Sequence, residues 1–168
     1  SPRRDGVIQV GYVGRLSPEK GIRFLIEALN RIRDVVPFYL HIVGDGPEES
    51  EIVNKIRVLS LKDRITIYGH VTNPEEIYKM LDILVLPSLT EGIPLTLLEG
   101  MSFGLAIVAS NVGGIPEIIE NNKNGLIVEP GSVTELGEKI TLLIKKPDLR
   151  ERLGTKAKET ISTLCDRD

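Results

Sequence analysis

Cysteine is almost missing from this chain: Cys165, near the C-terminus, is the one example among 168 residues. An internal disulfide framework is therefore excluded. Histidine is scarce as well, with only His41 and His70, so the chain cannot build a Cys/His zinc site of its own. No long basic run occurs and the net charge is −3, which argues against a general nucleic-acid binder. No apolar run reaches membrane-spanning length, and the opening residues SPRRDG hold no apolar signal core. A soluble, cytoplasmic domain is the default expectation.

Several catalytic signatures are missing too. The turn after the first apolar run reads Gly11-Tyr12-Val13-Gly14-Arg15 and lacks the G-x-G-x-x-G dinucleotide fingerprint. Gly44-Asp45-Gly46 begins one, but Glu49 stands at the third glycine position. There is no P-loop and no G-x-S-x-G nucleophile elbow. Asp166-Arg167-Asp168 has the D-x-D form of some metal sites, yet it sits at a frayed terminus and reads as solvated charge.

What is present is an ordinary globular composition, 41% hydrophobic and 27% charged, in a length that suits one domain with a full core. Short runs rich in Val, Ile and Leu alternate with segments of helical period. The strands expected are 7–13, 38–43, 64–68, 83–86, 105–109 and 125–128. Between them, Ile22, Leu25, Ile26, Leu29, Ile32 and Val36 mark an amphipathic helix. Pro47 opens a second helix with Glu48, Glu49 and Glu51 in its first turn. Shorter helices are expected at 74–81, from Pro94, and at 116–120. From about residue 132 the chain turns helical: a stripe of Val133, Leu136, Ile140, Leu143 and Ile144, a break at Pro147, then Leu149, Leu153, Ala157, Ile161 and Leu164. Short, continuously apolar strands separated by helices predict an α/β fold, a Rossmann-like doubly wound parallel sheet. The chain starts just before a strand and stops while helical, as half of a larger protein would.

Ligands of such sheets sit beyond the carboxyl ends of the strands. The most distinctive loop there is Glu91-Gly92-Ile93-Pro94-Leu95-Thr96-Leu97-Leu98-Glu99, where a buried strand gives way to a helix. A helix N-terminus offers free N–H groups and positive dipole, a natural seat for an anion. Two carboxylates beside it suit a ligand with hydroxyls as well as phosphate, because carboxylates accept strong hydrogen bonds from hydroxyls. A phosphorylated sugar is the obvious candidate.

The loop after the first strand, Gly14 to Gly21, adds Arg15, which can bridge phosphate oxygens bidentately, and Lys20, a mobile point charge. Each feature also has a plainer reading. Arg15 and Lys20 could decorate a solvated turn capped by Ser17, with Pro18 in the first turn. Glu91 and Glu99 could be a loop acid and a solvent-facing helix acid. Glu99, four residues after Leu95 and four before Phe103, points towards a cleft. His41 reads as a satisfied sheet-face histidine, His70 as an exposed loop histidine or a ligand contact. Asp45 reads as a helix cap, and Gly113-Gly114 as a tight turn.

Taken together, Gly14-Arg15-Leu16 with Lys20-Gly21, Gly69-His70-Val71, and Glu91 to Glu99 in an E-x7-E arrangement resemble one family. The chain looks like the C-terminal, donor-binding domain of retaining nucleotide-sugar glycosyltransferases of the GT-B fold, the group 1 transferases. The resemblance implies a single donor-binding domain over residues 1–168 and a hexosyltransferase type of activity, moving a sugar from a nucleoside-diphosphate sugar to an acceptor hydroxyl. It gives Arg15 and Lys20 to the donor diphosphate, with Gly14 beside them, Glu91 to the transferred sugar and Glu99 to the ribose hydroxyls. Gly92, Ile93, Pro94 and Leu95 would meet sugar and phosphate through their backbone, and His70 and Val71 the base. No metal, cofactor or covalent nucleophile is implied. The family's N-terminal acceptor-binding domain is absent here, so the fragment alone is expected to be inactive, and any peripheral membrane association would run through that other half. A nucleotide-sugar 2-epimerase or a non-catalytic nucleotide-sugar-binding module on the same fold are the alternatives. The epimerase would need a further acid/base set, which the sequence does not offer.

Overall fold

The apolar runs pair side by side, as their continuous hydrophobicity demands. A computed structural model describes residues 6–166. Residues 1–5, which open the SPRRDG stretch, and Arg167-Asp168 lie outside it. The strands are β1 (Ile8–Val13), β2 (Phe38–Val43), β3 (Ile65–Gly69), β4 (Ile83–Leu86), β5 (Ala106–Ser110) and β6 (Leu126–Val128). The helices are α1 (Ile22–Ile32), α2 (Glu49–Val58), α3 (Glu75–Met80), α4 (Leu95–Ser102), α5 (Ile115–Ile118), α6 (Val133–Lys145) and α7 (Pro147–Cys165). The strands form one sheet in the order β3-β2-β1-β4-β5-β6, every pairing parallel. This is the doubly wound Rossmann-like sheet expected, its direction of winding reversing between β1 and β4.

Both faces of the sheet are covered, and period-two alternation sorts the side chains between them. Along β4, Ile83 and Val85 join one core with Leu25, Leu29, Leu40 and Ile140. Leu84 and Leu86 join the other with Leu97, Met101, Ile107 and Ala157. Each fully buried Leu or Ile contributes about 1.5–3 kcal/mol. Gly100 bears on the site: a Cβ there would come within 2.3 Å of Leu84 Cδ2. Its absence lets α4 lie close on the sheet, with the start of the helix over the strand ends.

Several boundaries differ from the sequence reading. Helix α1 ends at Ile32, although Val36 is buried beyond it, so the apolar stripe outlasts the helix. Arg64 belongs to a 3-10 turn, not to β3. Its guanidinium donates to the carbonyls of Arg33 (2.6 Å) and Val36 (3.0 Å) and lies 3.7 Å over the Phe38 ring. Helix α2 starts at Glu49, and Asp45 does not cap it. Leu16 N–H donates to the Asp45 carbonyl and Glu48 N–H to the Leu16 carbonyl, tying that loop to its neighbour instead. Pro147 opens α7, where its missing N–H costs nothing.

His41 is buried and satisfied, as its strand position suggested. Its Nε2 donates to Gln9 Oε1 (2.6 Å) and its Nδ1 accepts from the Tyr68 hydroxyl (2.7 Å). Burial lowers its pKa to about 4. No helix among the described residues is long and apolar enough to cross a membrane.

Candidate functional site

The loop leaving β1 is held from three sides. Gly14 N–H donates to the Val43 carbonyl at 2.9 Å, and the Tyr12 hydroxyl to the Arg15 carbonyl at 2.5 Å. Burial, then the Glu91, Glu19 and Glu48 carboxylates, push the Tyr12 phenol far up, so it stays a donor. Ser17 precedes the 3-10 turn Pro18–Lys20 but does not cap it. Its hydroxyl donates to Glu19 Oε1 at 2.6 Å, and chiefly this bond lowers the Glu19 pKa.

The third side is the loop after β4. Leu89 N–H donates to the Glu19 carbonyl at 2.8 Å. Gly21 has φ +69°, and a Cβ on it would lie 2.0 Å from the Pro87 carbonyl oxygen; glycine permits both the left-handed turn and the close approach. Lys20 Nζ then reaches Glu91 Oε2 at 2.8 Å, and the Ser88 hydroxyl donates to the same oxygen at 2.8 Å. The Glu91 side chain is 9% exposed and that of Lys20 27%.

Helix α4 begins immediately after, with Pro94 at its N-cap position and no side-chain cap. The first N–H groups, those of Leu95 and Thr96, have no intrahelical partner and carry the positive end of the dipole. Among the described residues the Arg15 guanidinium is bonded to no side chain, and it is exposed. The arrangement offers two cations and two backbone donors to an anion, with a carboxylate for hydroxyls.

Most of the residues expected from sequence converge. Gly14, Arg15, Lys20, Glu91, Pro94 and Leu95 line a cavity of about 320 Å³. Gly14 and Arg15 also line its neighbour, about 250 Å³, with His70 and Val71. Gly92 and Ile93 lie on the exposed loop between Glu91 and α4, against Gly113 and Gly114. Glu99 lines neither cavity. It is half-buried a turn up α4, where its carboxylate faces the Tyr78 phenol. A larger hollow, about 800 Å³, opens between α5 and α7; neither Arg15, Lys20 nor Glu91 reaches it.

Sequence reasoning missed Ser88, Thr96 and Tyr12, which line the first cavity, and Asp45, which lines the second. For Ser88 a signal existed: it directly follows the buried strand and precedes Glu91 by three residues. Asp45 was masked by its resemblance to a helix cap. Among the described residues no group of three or more His, Cys, Asp or Glu side chains could hold a metal.

The sequence profile of the family described as glycosyl transferases group 1 matches residues 1–160. The chain belongs to that family. Among curated relatives, this group 1 chain is 31% identical over 150 residues to the N-acetyl-alpha-D-glucosaminyl L-malate synthase of Bacillus anthracis, covering 89% of the chain and 39% of the relative. It spans about three to four tenths of the length of the curated relatives it matches. Among solved structures, Anabaena HepE in complex with UDP-glucose superposes with a TM-score of 0.88 at 27% identity, over 94% of this chain and 44% of that one. The C-terminal domain of the group 1 family protein LpcC from Francisella tularensis superposes with a TM-score of 0.84 at 28% identity, over 93% and 85%. The group 1 chain thus has the Rossmann-like fold of GT-B glycosyltransferase C-terminal domains.

Proposed function

We propose that this chain is the donor-binding domain of a retaining glycosyltransferase, which moves a sugar from a nucleoside-diphosphate sugar to an acceptor hydroxyl. One observation carries the reading: Arg15, Lys20, Glu91 and the uncapped start of α4 share a single cavity at the carboxyl ends of β1 and β4. The diphosphate lies between Arg15, Lys20 and the N–H groups of Leu95 and Thr96. Negative charge grows on the leaving phosphate as the sugar bond breaks, and fixed positive groups there lower the barrier. Glu91 orients the sugar hydroxyls and favours the positive charge developing on the ring. The adjoining cavity with His70 and Val71 takes the base; Glu99, which the family resemblance gives to the ribose, faces Tyr78 outside both cavities and is left out of this reading. Gly92, Ile93 and Pro94 border the sugar. The acceptor binds a second domain of the full-length protein; coverage of 39% of a relative's length leaves room for one. Retention of configuration and the hexosyl character of the transfer follow the family resemblance.

Titration calorimetry with UDP-, GDP- and ADP-sugars tests the binding step. One of them should bind this domain, and Arg15→Ala with Lys20→Ala should abolish it; equal binding by that double variant sinks the site. On the full-length protein, NMR of the product should find sugar on the acceptor with the donor's anomeric configuration. Epimerised sugar or no turnover would overturn the reading.

A further inference from the structure

Lys20 and Glu91 are both assigned to the donor, yet they are bonded to each other at 2.8 Å. They differ in freedom. The Glu91 side chain is nine-tenths buried, and its Oε2 also accepts from Ser88, itself 2% exposed. Lys20 is the more exposed partner, a compact ammonium on a flexible four-carbon stem. It lines the same cavity as Arg15 and the start of α4. A phosphate drawn there by Arg15 and the helix dipole meets an ammonium already neutralised by a carboxylate. Two anions on one ammonium repel each other, and the side chain free to turn is that of Lys20.

We propose that Glu91 and the donor diphosphate compete for Lys20, so that donor binding exchanges one anion for another on its ammonium, while Ser88 keeps Glu91 aimed. The proposal rests on the donor-site reading above. Glu91 thereby has a second effect besides meeting the sugar: it weakens binding of the bare nucleoside diphosphate. Ser88 is a positioning residue. Once Lys20 has turned away, its hydroxyl is the donor that remains on Glu91 Oε2.

The test is a double-mutant cycle read by calorimetry on this domain. UDP, GDP and ADP are titrated first, and the one that binds is the probe. Glu91→Gln keeps shape and removes the charge; it should bind the probe about five-fold more tightly, the upper end of what an ion pair still open to solvent on its lysine side contributes. In a Lys20→Ala background the same substitution should leave affinity unchanged to within about two-fold. Equal tightening in both backgrounds would mean direct repulsion by Glu91 and would overturn the exchange, as would unchanged or weaker binding by Glu91→Gln. Ser88→Ala gives an independent reading if Glu91→Gln does not fold. It should leave diphosphate affinity within about two-fold and erase the extra affinity contributed by the attached sugar, with Ser88→Thr restoring that gain. A sugar contribution untouched by Ser88→Ala would overturn the positioning role. If no nucleoside diphosphate binds the unaltered domain, the donor-site reading fails first, an outcome distinct from all the others.

Discussion

Gly113 stands so close to Glu91 that a Cβ on it would lie 1.8 Å from the Glu91 carbonyl oxygen. It also holds φ +54°, and the next N–H, of Gly114, donates to the Gly92 carbonyl at 2.8 Å. The loop after β5 is thus a buttress for the loop after β4. Glu91 is fixed through its backbone from one side and through Lys20 and Ser88 from the other.

Gly113→Ala should therefore damage the site twice, through strain at positive φ and by pushing the Glu91 loop outward. A loss of about 1–3 kcal/mol in stability is expected, with nucleotide-sugar affinity reduced at least ten-fold. Urea unfolding and calorimetry on the same preparation check this. Unaltered affinity would mean that the buttress does not set the position of Glu91.

Among the described residues Arg15 has no side-chain bond to lose, so its removal should show in binding and not in folding. Arg15→Ala should weaken nucleoside-diphosphate binding by roughly ten- to hundred-fold, the value of a charge-assisted pair. The thermal midpoint should move by less than about two degrees. A large drop in that midpoint would assign Arg15 to the fold.

Among the described residues the buried Tyr78 hydroxyl closes no well-formed hydrogen bond, and burial, then the facing Glu99 carboxylate, push its phenol far up. Deleting an unsatisfied buried hydroxyl is neutral or stabilising. Tyr78→Phe should keep the stacking on Phe103, where the ring centroids are 5.3 Å apart, and should gain up to about 1 kcal/mol in urea unfolding. A loss of that size would show that the hydroxyl closes a bond to Glu99.

His41 gives the fold a dependence on pH. Its folded pKa, about 4, lies below the usual 6.5 because burial penalises the charged ring. The unfolded chain takes up its proton first as pH falls. The contribution is therefore complete above pH 6.5 and disappears between 6.5 and 4, up to roughly 3 kcal/mol. The His41 ring resonances should titrate near pH 4 in the folded protein. A midpoint near 6.5 would contradict the burial argument.

Much of this was legible in the residues because it depends on period and composition. Continuous apolar runs such as Ile83–Leu86 announce strands buried on both faces, and parallel strands send their following loops to one edge. The same rule gathers Arg15, Lys20, Glu91 and His70 at that edge. Distances across space are another matter. Nothing in the spacing tells that Lys20 meets Glu91 across 71 residues, since that depends on how two loops lean together. Asp45 carried the chemistry of a cap, but Leu16 claimed its backbone. Glu99 was expected to face the cleft; the helical period carries it past the cavity wall to Tyr78.

The reversal of winding between β1 and β4 also orders events in time. Arg15 and Lys20 belong to the part of the chain that ends with β3, Glu91 and α4 to the part that begins with β4, and those parts pair through Val10–Ile83 and Gly11–Leu84. Contacts so distant along the chain close late, because the intervening loop must first surrender its entropy. Either part could acquire its helices without owning an anion site. During refolding, the ability to capture a nucleotide should lag behind the recovery of helical signal, a clock for the moment when the sheet becomes one piece.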